Sequence, residues 1–176
     1  LIGTFGFKFS LFISTMAASV FQTDAQGFGI LSSFIAVGTV GGAVLAARRQ
    51  SAGMGLMVFG ALLFGVGCLC AALSPGYWTF AASLVVIGIA ALTFMTTTNS
   101  LMQLTTEPEM RGRVMALRIA VALGGAPLGA PVVGWIADAF GPRWALGAGA
   151  IAGLLAGLLG LRYLAIRRRN RAAPDL

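Results

Sequence analysis

The chain has 176 residues, 58% of them hydrophobic and only 10% charged, with a mean hydropathy of +0.91 and a net charge of +7. A water-soluble domain needs about a quarter of its residues charged to cover its surface, so this composition excludes one and points to a surface facing lipid. The absence of His removes the commonest group for acid–base catalysis near neutral pH.

Six stretches reach the roughly 20 mostly apolar residues that a membrane-crossing helix requires. They run over about 1–21, 28–47, 53–73, 77–104, 114–137 and 144–166. The pattern predicts an all-α membrane protein, a transmembrane bundle over 1–166 with a basic tail over 167–176. The separators are short and carry turn or charge signals: QTDAQG, RRQSA, SPG, TTEPEMRGR and DAFGPR. The opening run has no basic leader or small-residue cleavage site, so it is not read as a signal peptide. A start at Leu1 rather than Met is read as the mark of a fragment.

Lys8 falls about a third of the way into the first run, ~10 Å along a helix. A charge at that depth marks a candidate functional group, and a snorkelling lysine accounts for it equally. In the third run, Cys68 and Cys70 form a lone C-x-C. A zinc site needs about four ligands and none are near, so both are read as small apolar fillers. No metal or cofactor site is expected.

The fourth run is the most polar. At 100° per residue, Thr93, Thr96, Thr97, Asn99, Ser100 and Gln103 share an arc of roughly 160°, with Thr98 off it. Such a stripe either bonds to neighbouring helices or lines a polar path. Thr106-Glu107-Pro108-Glu109 then fits a capping box that starts a new helix. Arg111 and Arg113 follow at headgroup level, as anchors or as members of a locking ion pair.

In the fifth run, Pro127 and Pro131 lie on one face and should bend the helix, either as a static kink or as a flexing gate. Gly38 and Gly42, Gly125 and Gly129, and Gly149, Gly153 and Gly157 repeat every four residues, a spacing that lets helices approach closely. Arg118 and Arg162 sit near the membrane boundary and read as snorkelling. No Asp or Glu lies deep in any run, so a carboxylate proton relay cannot be built from this chain alone.

The arginines fix an orientation. Arg48, Arg49, Arg111, Arg113, Arg167, Arg168, Arg169 and Arg171 fall on one side, while Arg143, Asp24 and Asp138 fall on the other. The positive-inside rule places the first side and both termini in the cytoplasm. The net basicity is therefore assigned to membrane topology, with no nucleic acid partner. Tyr77, Trp78, Trp135 and Trp144 gather near the opposite boundary, as an interfacial belt would.

The run from Asn99 to Trp144, about a quarter of the chain, resembles the C-terminal half of a major facilitator superfamily transporter. It is closest to the drug and siderophore exporter branch, similar to enterobactin and macrolide exporters. The resemblance is carried by Pro108 with Arg111-Gly112-Arg113-Val114, by Pro127-Leu128-Gly129 with Pro131, and by Gly134, Asp138, Gly141 and Arg143. The connection GGAVLAARRQ keeps the Gly and Arg of the family's loop signature but has Ala46 where its Asp would fall. That departure favours the second half of the transporter.

The resemblance implies a twelve-helix, multi-pass protein of the cell (inner) membrane. Two six-helix halves rock around a central site in alternating access. The expected partners are the lipid bilayer, the N-terminal six-helix half and a small-molecule substrate, exported in the manner of that branch and not named by these residues. A dimer of six-span chains and a non-transporting scaffold or assembly subunit are the alternatives. An intramembrane enzyme lacks any Ser-His, carboxylate-pair or metal constellation in the sequence.

Overall fold

The computed structural model describes residues 13–48 and 53–172. Every regular element among them is helical. After α1 (residues 13–20, closing in the π-helical turn Met16–Val20) come α2 (Ala25–Ala47), α3 (Met54–Ala72), α4 (Tyr77–Thr105), α5 (Arg111–Phe140) and α6 (Pro142–Ala172). In lipid each backbone N–H and C=O must be satisfied within the segment, which an apolar helix achieves without outside partners. Among the described residues, four helices are long and apolar enough to cross a membrane: α2, α3, α4 and the Pro142–Ile166 part of α6. Within α5, Pro131–Phe140 is a shorter apolar stretch. The basic residues of the tail begin inside α6, which stays helical to Ala172.

Turn chemistry sets the breaks. Ser74-Pro75-Gly76 separates α3 from α4. Gly141 alone separates α5 from α6, at φ 96° and ψ 160°, a backbone region essentially confined to glycine. Pro142 follows as the first residue of α6, where its missing N–H needs no partner.

The helices pack in the order α2, α4, α3, α6, α5. Contact is extensive along the first four, lighter between α6 and α5, and slight between α5 and α4. Glycines make the tight crossings. A Cβ built on Gly153 of α6 would lie 2.8 Å from Cα and N of Gly65 on α3, and one on Gly65 would lie 2.7 Å from the Leu154 amide nitrogen. Gly157 faces the Leu62 side chain in the same seam. Between α2 and α4, a Cβ on Gly88 would lie 2.6 Å from the Ile35 carbonyl oxygen, and one on Gly38 would press into the Val85 carbonyl. With no hydrophobic drive between helices in lipid, this close backbone contact is what holds them.

Phe64, Phe80, Leu84, Ile87 and Leu146 fill the core between these seams, and Cys68 is buried among them as a small filler. Large apolar side chains such as Val37, Val66, Leu117, Val121 and Ile151 are exposed on the outside. In water that distribution would be a liability; in a bilayer it is the solvent-facing surface.

The connections 21–24, 73–76 and 141 lie at one end. There the Tyr77 hydroxyl donates to the Gly27 carbonyl at 2.9 Å, and Arg143 donates to the Ser74 carbonyl at 3.4 Å. Trp78, Trp135 and Trp144 are exposed at this aromatic end. The other end carries Arg48, Arg111 and Arg113.

Candidate functional site

The polar stripe of α4 divides along its two edges. Thr93 and Thr97 are 3% and 4% exposed, on the side of α4 that also buries Ala90. Thr96, Asn99 and Ser100 are half-buried and Gln103 is exposed, on the edge nearer α5. The Thr96 hydroxyl donates to its own helix, to the Leu92 carbonyl at 2.8 Å and the Thr93 carbonyl at 3.2 Å. Thr98 and Thr105 do the same, to Phe94 and Leu101 at 2.7 Å each. Asn99 is different: its Oδ1 accepts from a guanidinium nitrogen of Arg118 on α5.

That contact revises the reading of Arg118. Instead of extending toward the headgroups, it crosses to α4 about 10 Å into α5, seven residues beyond Arg111. Its neighbour offers a fixed amide oxygen, whereas snorkelling toward the boundary is only one option for so long a side chain.

The turn before α5 also differs from expectation. Thr106 is not the N-cap of the next helix; it is the C-cap of α4, and its hydroxyl donates to the Met102 carbonyl at 2.6 Å. With the hydroxyl engaged behind it, no capping box forms. Residues 108–110 make a turn in which the Met110 N–H meets the Glu107 carbonyl at 3.0 Å, and α5 starts at Arg111. Arg111 Nε reaches back to the Thr106 carbonyl at 3.1 Å. Gly112 and Arg113 are exposed.

Further along, α5 runs as one helix through Pro127 and Pro131; Pro131 is exposed, and the Pro127 side chain lies outside the described residues. Gly129 is buried, Gly134 half-buried and Asp138 exposed. Lys8 and Arg49 lie outside the described residues.

A cavity of about 470 Å³ opens at the arginine end between the start of α3 and the end of α4. Gly53, Met54, Met57, Thr98, Leu101, Met102 and Thr105 line it. On α4 these residues face away from the polar stripe, about half a turn around the helix axis. Thr98 and Thr105 are thus cavity-lining hydroxyls that the stripe leaves out. An arc centred on Thr98, Leu101, Met102 and Thr105 is visible in the sequence but looks like an ordinary lipid-facing side. Among the described residues, no three of His, Cys, Asp and Glu come together.

The apolar, glycine-seamed helices, the polar edge of α4 and the Arg-Gly-Arg turn stand together in one chain. The family model described as Major Facilitator Superfamily matches residues 1–175. The chain belongs to the major facilitator superfamily. Comparison with curated proteins and with solved structures returns no match. Membership makes this a multi-pass membrane protein of a family of small-molecule transporters rather than enzymes. For a major facilitator protein, polar side chains at membrane depth are the natural place to look for contact with the transported molecule.

Proposed function

We propose that the chain is the C-terminal six-helix half of a twelve-helix exporter, spanning the cell membrane with its arginine end and both termini in the cytoplasm. It moves a small molecule by alternating access against an N-terminal half. The observation that carries this reading is the edge of α4 bearing Thr96, Asn99 and Gln103. It turns toward α5, yet the two helices touch little beyond the Asn99–Arg118 bond. A polar edge left unpacked beside a neighbouring helix is suited to line a path. Lys8, Thr93, Thr97 and Ser100 complete the candidate path.

The exporter branch is supported by the motif residues from Arg111 to Arg143, and the second-half assignment by Ala46 in place of the loop acid. In this reading α5, with Pro127, Gly129, Pro131 and Gly134, is the moving element. Asp138, Gly141 and Arg143 close the outer end.

The test uses full-length protein with Cys68 and Cys70 replaced by Ala. Thr96→Cys and Asn99→Cys should react with a membrane-impermeant thiol reagent. Reaction only with a lipid-phase reagent would overturn the path. Vesicle transport that is abolished by changes at Asn99 would reject the scaffold reading, and absence of any transport by the wild type would favour it.

A further inference from the structure

Two arginines of α5 face α4. Arg111 and Arg118 are seven residues apart, so they lie within about 20° of each other on the helix and ~10 Å apart along it. Arg111 binds the Thr106 carbonyl at 3.1 Å, and Arg118 binds the side-chain oxygen of Asn99. Both partners are neutral. They orient the guanidinium groups without cancelling their charge.

Among the described residues, neither arginine's hydrogen-bond partner is an acid. Asp24 and Asp138 belong to the aromatic end, Glu107 and Glu109 are exposed in the α4–α5 turn, and Asp175 lies outside the described residues. Among the described residues, Asn99 is the hydrogen-bond partner of Arg118, whereas a guanidinium carries five donors. A half-buried cation at membrane depth is costly until it meets an anion. Arginine's planar fork suits carboxylate and phosphate groups.

We propose that the α4–α5 seam is an anion-binding track. Arg111 stands at its rim, and Arg118, held by Asn99, stands at depth. Together they receive a carboxylate, sulfonate or phosphate group of the transported molecule. This rests on the transport-path reading above and adds the charge class of the cargo. An anionic lipid headgroup offers the same chemistry, so the experiment separates the two sources.

Full-length protein in nanodiscs of phosphatidylcholine is titrated with 1-naphthoate and with the neutral 1-naphthalenemethanol. Wild type should bind naphthoate at least about tenfold more tightly, as a charge-assisted hydrogen bond implies. Arg118→Gln should abolish that preference while still binding the alcohol, which shows that it is folded. Arg118→Lys should keep part of the preference. Arg162→Gln, at an exposed arginine of α6, should leave it unchanged.

Repeating the titration with phosphatidylglycerol in the disc identifies the source. Loss of the preference assigns the track to headgroups, and persistence assigns it to a soluble anion. Equal binding of the two probes by wild type, or an undiminished preference in Arg118→Gln, overturns the proposal. Aqueous labelling at Thr96→Cys would survive either result, so failure here is distinct from failure of the path itself.

Discussion

The hydroxyl of Tyr77 donates to the carbonyl of Gly27 at 2.9 Å, tying the first turn of α4 to the first turn of α2 across 50 residues of sequence. The carbonyl belongs to a helix start, and the ring is held edge-on by Phe21 at a centroid distance of 5.6 Å. Tyr77→Phe keeps the ring and removes the bond. It should lower stability by about 1 kcal/mol, read as a lower unfolding midpoint in detergent. An unchanged midpoint would show that water or detergent replaces the bond.

The α3–α6 seam predicts an asymmetry among glycines. Gly153→Val must displace backbone on Gly65, which cannot yield as a flexible side chain can, and should cost about 1–3 kcal/mol. Gly147→Ala, on the same helix, meets nothing within 4 Å and should be neutral or mildly stabilising. Equal unfolding midpoints for the two variants would contradict the seam.

Thr96 and Asn99 are three residues apart and should behave differently. Thr96→Val removes a hydroxyl whose bonds among the described residues are to its own helix, and should change stability by under about 0.5 kcal/mol. Asn99→Leu removes a bond between helices, worth on average about 0.6 kcal/mol in a membrane, and leaves Arg118 without its amide, a further cost of about 1–3 kcal/mol. Thermal unfolding of both variants, with the double Asn99→Leu/Arg118→Leu, measures the coupling.

Thr98 and Asn99 adjoin in sequence but lie 100° apart around α4. Thr98→Cys opens into the cavity beside Met57 and Met102 and should react fastest with an apolar maleimide. Asn99→Cys should prefer a charged, water-soluble one. The ratio of the two labelling rates should invert between the positions; a common ratio would place both in one environment.

The helical class was legible because long apolar runs with short polar breaks have few other solutions in lipid. Gly149, Gly153 and Gly157 showed that α6 has a face built for close approach, but spacing alone could not pick Gly65 as the backbone it meets. Thr106 misled because its hydroxyl has two possible acceptors or donors within reach, the carbonyl behind it and the next helix's amides ahead, and sequence does not say which wins. Arg118 misled for a different reason. Snorkelling is a property of one helix, whereas the bond to Asn99 depends on how α5 is rotated against α4. The same limitation hid Thr98, whose position matters only once α3 is placed beside it.

Gly141 is the whole of the connection between α5 and α6, so these two helices share a pivot rather than a tether. At that end α5 cannot slide away from α6, and α6 is fastened to α3 by interlocking backbone. At the arginine end α5 meets α4 through the Arg111 and Arg118 contacts. On the proposed reading, the helix is hung like a door, hinged where the aromatics gather and latched by two guanidinium groups. A swing about Gly141 would break the polar contacts at the latch while keeping the short connection at the hinge. An anion arriving at the latch would therefore compete for the very groups that hold the door shut.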